Sequence, residues 1–489
     1  MFASSLNAAD CRMMRADARK RRCAGSEKMR APYSHPFWSD SNFAKSRVLL
    51  TACLGWVIGC LLLTEHVALA DENTALRNWP AWRGPLRTGV APNADPPVEW
   101  NEDKNVRWKV ALPGAGHSSP IVWNDSIFVT TAIPYGPKLP PVPVTAPGAH
   151  DNVDVTQKHR FVVICVNRAD GKLRWQTTVA DTLPHEGGHN TGSLASGSPV
   201  TDGKHVYAYF GSFGLFALNF NGDVVWEHAI PKLETKHAHG EGASVAYHDG
   251  VLVVNCDHEK QSIVRAIDST NGKTLWEKPR DEVTSWASPL IVVHDKIPQV
   301  VVAGTDRIRS YNLRTGDVIW QCGGLSSNVV ATPVSADGIL IAASSYDTRA
   351  MLAIDLNAAE GDITGTNRVL WSTTQRTPYV PSMLLVDDSV YFLRHYQNIL
   401  SRRNIRTGDE KVGPFRLAGL QNMYASPVSA KNRIYITDLN GRTLVFSHAE
   451  QPKYLALNQL DDSLAATPAL VGNEILLRGT EFLYCIAEE

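Results

Sequence analysis

Among its eight cysteines the sequence has no adjacent pair, no C-x-x-C and no C-x-x-C-H. That excludes the spacings of a zinc knuckle, a redox dithiol or covalent haem attachment. It also lacks a surplus of either charge: 48 Lys and Arg stand against 49 Asp and Glu, for a formal net charge of -1. A nucleic-acid or anionic-membrane binder working by bulk electrostatics needs a basic excess, so both classes drop out. No uncharged run reaches the roughly 20 residues of a membrane-spanning helix. What is present is 44% hydrophobic and 20% charged residues with 13 Trp in 489 positions, a composition that buries a sizeable core and is not that of a disordered chain. The length allows two or three domains or one large repeat array.

Residues 1–70 read as a targeting segment. The run Val48 to Leu63 is uncharged over 16 residues, follows Lys45 and Arg47, and leads to Ala68-Leu69-Ala70 before Asp71. This is the layout of a secretory signal cleaved after Ala70, which implies a periplasmic or secreted protein with no integral membrane domain after removal. Residues 1–44 make a long basic leader, and Met29 offers a second start. Removing residues 1–70 takes away 10 basic and 5 acidic residues, leaving 38 against 44 and a net charge of -6. Cys165, Cys256, Cys322 and Cys485 remain, set singly, three of them in apolar strand-like runs; buried free thiols are expected. Residues 71–104 form an N-terminal extension in which Asn78-Trp79-Pro80-Ala81-Trp82-Arg83-Gly84-Pro85 is too aromatic for a linker and is expected to pack along the repeats.

Residues 105–489 are self-similar with a period of 41 to 51 residues, the period of four-stranded units. Units start at Ser119-Pro120, Ser198-Pro199, Ser288-Pro289, Thr332-Pro333, Ser426-Pro427 and Thr467-Pro468, with degenerate starts at Ser244 and Pro381-Ser382. Each continues as alternating apolar runs broken by turn residues and ends in a hairpin of the form Ala-x-Asp/Asn-x-x-Thr-Gly-x-x-x-Trp. Asn167, Gly171 and Trp175 agree in spacing with Asp268, Gly272 and Trp276 and with Asn312, Gly316 and Trp320. Glycine at that fixed place suits a type I turn closed by a left-handed bulge residue. Trp226 and Trp371 keep the pattern with small length changes, and Val412 replaces the Trp.

The last unit stops at Cys485-Ile486-Ala487, where its outermost strand is due, and Asn105-Val106-Arg107-Trp108 near the start carries that missing strand. The spacing therefore predicts an all-β, eight-bladed β-propeller whose ring is closed by N- and C-terminal strands in one blade, leaving no open edge. Trp108, Trp175, Trp226, Trp276, Trp320 and Trp371 are the expected docking side chains between blades.

In such a blade the loops leading into the innermost strand and those joining the second and third strands share one face. That face carries His117, His185, Glu186, His189, His237, His239, Glu241 and Trp286 on lead-in loops, and Asp257, Glu259, Asp306, Asp347, Arg349 and His395 on the others. His117, His185, His189, His237 and His239 make an axial polar cluster. The segment His185 to His189 matches the zinc-protease string HExxH, but Gly187 and Gly188 each cost a helix about 1 kcal/mol, so the helical face that chemistry needs is not expected. Between Ala132 and His159 lies a proline-rich insertion on the same face, expected to be extended and semi-rigid.

The hairpins resemble the tryptophan-docking motifs of the pyrroloquinoline quinone (PQQ)-like propeller superfamily, over about residues 100–489. That superfamily includes quinoprotein alcohol dehydrogenases and also cofactor-free members such as the outer-membrane assembly lipoprotein, so the resemblance implies the fold and leaves the activity open. The first implied role is a platform that binds a protein or small-molecule ligand at its axial face. The alternative is a PQQ- and calcium-dependent oxidoreductase acting on alcohols or sugars. For that alternative the resemblance implies Asp257, eleven residues before Asp268, with Glu259 as calcium ligands, and Trp286 as an indole platform joined by Asp257 and Arg349 around the quinone. The superfamily's adjacent-cysteine disulfide is absent, and no catalytic base is assignable.

Overall fold

Each repeat folds as an antiparallel sheet, because runs that alternate or stay apolar over strand length are separated by Gly, Asn and Asp turns. The computed structural model describes residues 73–394, 397–410 and 412–488, all within the compact unit Val67–Glu489; the 1–70 leader and His395 lie outside the described residues. Eight sheets form an eight-bladed β-propeller. Their innermost strands are Ile121–Trp123 (blade 1), Val200–Thr201, Ala246–His248, Leu290–His294, Val334–Ala336, Leu384–Val386, Val428–Ala430 and Ala469–Val471 (blade 8). The innermost strand of blade 1 lies against those of blades 2 and 8, so the ring closes. The closure is made as the spacing predicts: Val106–Ala111 is the fourth strand of blade 8, paired with Phe482–Ala487 and with Trp108 opposite Cys485.

The core lies between blades. The second strands Val251–Cys256 and Ile339–Ser344 are buried at every position, because each sheet is covered on both faces by its neighbours. Phe128, Phe161 and Cys165 of blade 1, for instance, pack against Val206 and Ala208 of blade 2. All four cysteines of this region are buried and free.

The hairpin motif has a specific mechanical role. In blade 3 Asp268 accepts the Thr270 N–H on its side chain at 2.8 Å and the Gly272 N–H on its carbonyl at 2.9 Å. Gly272 sits at φ +72°, and a Cβ there would lie 2.7 Å from the Trp226 ring of the preceding blade. Glycine is therefore required twice, for the left-handed turn and for the indole pressed on it. The Trp226 N–H completes the joint by donating to the Ser269 carbonyl at 2.9 Å. Trp108, Trp175, Trp276 and Trp371 make the same bond to the next blade, to Arg168, Phe220, Leu313 and Ile405.

Trp320 departs from the expected docking role. Its indole N–H donates to the Gln299 side chain of its own blade at 3.2 Å. The blade 5 hairpin carries an insertion here: Gly361–Asp362 pairs in parallel with Trp320 and Gln321 as a fifth strand of blade 4.

Candidate functional site

The Ser/Thr residues that open the repeats form a belt around the axis. The backbone N–H of each donates to the side-chain oxygen of the next: Ser119 to Ser198, then Ser244, Ser288, Thr332, Ser382, Ser426 and Thr467, at 2.8–3.0 Å. A short hydroxyl side chain is needed because these N–H groups are buried and an apolar residue would leave them unpaired. All of the belt except Thr332 lines an axial funnel of about 540 Å³.

The N-terminal extension crosses the other end of the axis. Trp79 and Ala81 pair with Val122 and Val200, the Leu385 N–H donates to Thr88, and Val90 pairs with Ser429, so blades 1, 2, 6 and 7 all hold it. Arg83 is buried beneath it and donates to the carbonyls of Pro427, Met383 and Thr88. Burial lowers its pKa to about 9. Trp82 turns into the funnel and donates to Thr467 Oγ1 at 3.4 Å.

The walls are rich in aromatic side chains. Trp286 lines the funnel with its N–H on the Gly240 carbonyl at 2.8 Å. Tyr346 and Tyr379 stack with ring centroids 5.7 Å apart, and Tyr424 stands beside them. Glu241 is held by the Ser212 N–H and hydroxyl at 2.8 and 2.6 Å, and desolvation raises its pKa to about 8. Among the described residues the lining contains no Lys or Arg.

The proline-rich insertion folds over the mouth. Val153 donates to the Gly188 carbonyl, Asn190 to Asp151, and the Asn152 amide to both His237 and Ala238. The insertion brings His150 within 4.8–5.1 Å, ring to ring, of His237 and His239, and His189 stands 4.8 Å from His239. Three of the expected axial histidines thus meet at the mouth with a fourth that the sequence reading passed over. His117 lines the funnel separately, its pKa held down to about 4 by burial and by Arg478. His185 does not join them: its ring lies tilted against Phe213 and its Nε2 bonds the Leu233 carbonyl at 2.7 Å. The HExxH string is irregular coil, as its glycines predict. Among the described residues no three His, Cys, Asp or Glu side chains converge to hold a metal ion.

The residues implied for quinone and calcium are placed differently. Asp257 is fully buried behind the wall, bound by Arg280 at 2.7 and 3.1 Å and by the Ser285 hydroxyl at 2.8 Å, so it turns no free oxygen toward the axis. Glu259 accepts the Thr284 N–H and hydroxyl at 3.1 and 2.7 Å and is not part of the funnel lining. Arg349 and Asp306 are exposed outside that lining, and Asp347 pairs with Ser327 and Lys236. Only Trp286 of that set faces the funnel. The residues present do not fit a calcium-held quinone, because the one acidic group at the implied spacing is already neutralised by an arginine.

The sequence reading also missed Trp82, Tyr379 and Tyr424. Trp82 belongs to an extension with no repeat register, and Tyr379 precedes Ser382 at a position where no other repeat has an aromatic; Tyr424, however, precedes Ser426 in the same register in which Trp286 precedes Ser288, a signal that could have found it. The belt was visible as a recurring Ser or Thr, but its recurrence at one blade position was the signal of a shared bond.

Comparison with known proteins agrees with this architecture. The family model described as outer membrane protein assembly factor BamB matches residues 90–255, 159–412 and 260–486. A relative of that name from Yersinia pestis is 21% identical over 328 residues, 63% of this chain and 75% of its own length. The crystal structure of BamB from Moraxella catarrhalis superposes with a TM-score of 0.50 at 17% identity, over 74% of this chain and 98% of that one. Quinohemoprotein alcohol dehydrogenase from Comamonas testosteroni superposes with a TM-score of 0.56 at 9% identity, over 85% and 82%, a likeness of fold alone. Among the described residues no helix is long and apolar enough to cross a membrane. With the family model matching most of the propeller and the docking hairpins in place, the chain belongs to the BamB family of PQQ-like β-propellers.

Proposed function

We propose that the protein is an exported binding or assembly platform that works through its funnel face. The carrying observation is the axis itself: its own N-terminal extension crosses one end, and the other end forms a funnel of about 540 Å³ walled by aromatic and hydroxyl side chains. That is the volume and the mixed lining of a ligand site. The name of the Yersinia pestis relative, an outer membrane protein assembly factor, supports a protein partner beyond the cytoplasm. The leader supports export with cleavage after Ala70.

The test places a photo-crosslinking amino acid at Tyr379 on the funnel wall or at Val225, which is 48% exposed on an outermost strand. Adducts in the producing cell are expected from the Tyr379 position and not from Val225. The reverse pattern overturns the funnel-face reading. Export is checked on the same sample: the mature N-terminus is expected at Asp71 in the osmotic-shock fraction, and an intact leader on a cytoplasmic protein overturns it.

A further inference from the structure

We propose that the funnel binds the end of a neutral oligosaccharide, an inference that rests on the platform reading and names its ligand class.

Charge is the first constraint. A bound phosphate, carboxylate or ammonium group needs a counter-charge once it leaves water. Among the described residues the lining has no Lys or Arg, and Glu241 is held toward its neutral form. Asp151 is the remaining carboxylate, and it stands at the mouth beside the histidines.

Hydrogen-bonding capacity is the second. Each belt hydroxyl from Ser198 to Thr467 accepts a backbone N–H, yet among the described residues none of the O–H protons of Ser198, Ser244, Ser288, Ser382, Ser426 and Thr467 has a protein acceptor. Six nearly buried O–H donors therefore face one cavity. A hydroxyl both donates and accepts, and a polyol is the ligand that matches a circle of such groups one for one. An extended peptide recognised through its backbone needs a free strand edge. Here the belt N–H groups from Ser119 to Ser426 are already spent on the belt.

The aromatic planes are the third. Trp286, Tyr424 and the Tyr346–Tyr379 stack surround the mouth, and Trp82 lies toward the crossed end. An aromatic face is the negative side of its quadrupole and attracts the weakly positive C–H face of a pyranose ring, while the polar tips of Tyr and Trp reach its hydroxyls. Because the N-terminal extension crosses the far end, a glycan enters by its terminus and does not thread through.

The experiment titrates the full chain with cellotriose, maltotriose, xylotriose and N,N′,N″-triacetylchitotriose by calorimetry, with tetra-alanine as the peptide comparison. At least one trisaccharide is expected to bind, about tenfold or more weaker in Trp286→Ala and in Tyr424→Ala, with partial recovery in Trp286→Phe. Ser382→Ala, which removes one belt hydroxyl, replaces any aromatic variant whose circular dichroism shows misfolding. Sugar binding unchanged in every variant places the ligand elsewhere and overturns the inference. Binding of tetra-alanine and of no sugar, lost in Trp286→Ala, overturns the carbohydrate class and leaves the platform standing. No sugar binding together with persistent Tyr379 adducts does the same, whereas absence of both overturns the two readings together.

Discussion

Arg280 holds Asp257 in a two-pronged ion pair, Nε to Oδ1 at 2.7 Å and Nη2 to Oδ2 at 3.1 Å, with both side chains sealed from solvent. Asp257 Oδ2 also accepts the hydroxyl of Ser285, next to Trp286, so the pair braces the loop that carries the funnel's indole. Removing one partner strands the other charge. Asp257→Ala is expected to cost about 3–5 kcal/mol in denaturant unfolding, with Asp257→Leu plus Arg280→Met recovering much of it. Addition of calcium is expected to leave the melting temperature unchanged. A calcium-dependent rise that Asp257→Ala abolishes would restore the metal-ligand role.

The belt makes a second expectation. Ser288 Oγ is the acceptor for the buried Ser244 N–H. Ser288→Ala leaves that donor unpaired, at about 1–3 kcal/mol, and amide exchange at Ser244 is expected to speed up selectively. Ser288→Thr is expected to be nearly silent, because Thr332 and Thr467 hold the same place in their blades. Equal exchange at Ser244 in wild type and Ser288→Ala would show that the belt bond carries no stability.

Two glycines separate turn strain from docking. Gly272 and Gly361 have nearly the same φ, +72° and +68°, but a Cβ at Gly272 meets the Trp226 ring at 2.7 Å and one at Gly361 meets nothing within 4 Å. Gly361→Ala is expected to cost about 1–2 kcal/mol from the left-handed backbone alone. Gly272→Ala carries the same strain plus displacement of the indole, and a clearly larger loss is expected in parallel urea titrations. Equal losses would mean that the Trp joint adjusts freely.

How far the sequence reaches is plain from these same residues. The glycine and Trp of each joint were legible because their requirement is local, a left-handed turn plus one large ring at fixed spacing. The exception at Trp320 was not legible, since the strand beside it, Gly361–Asp362, is donated by the blade 5 insertion to the edge of blade 4. Asp257 shows the same limit for the site: its spacing from Asp268 is a sequence property, but its partner Arg280 lies at the end of the blade's outermost strand and decides what the carboxylate does. His150 sits in a proline-rich stretch without repeat register, and only the path of that loop brings it to His237 and His239.

That loop's attachment is expected to depend on pH. With the insertion folded down, desolvation first and then the His189 ring hold the His239 pKa at about 4, the rings of His150 and His237 adding to this and the bond to the His150 carbonyl opposing it, and desolvation also lowers the pKa of His189. Asp151 opposes the effect at His189, while Lys236 and Asp347 face each other near His237. With the loop lifted, His239 returns toward its ordinary value of 6.5. The lifted form then binds more protons over the interval between the two values. The histidine contribution to closure is therefore complete above about pH 6.5 and is lost progressively as the pH falls toward 4. Amide exchange corrected for its intrinsic pH dependence is expected to show Val153 and Asn190, which bond Gly188 and Asp151, well protected near neutral pH and much less so at about pH 5. His239→Gln removes the most strongly shifted group, and its protection is expected to change less over the same interval. Protection that is flat with pH in wild type, or as steep in His239→Gln, would mean that the backbone and Asn152 bonds alone hold the loop.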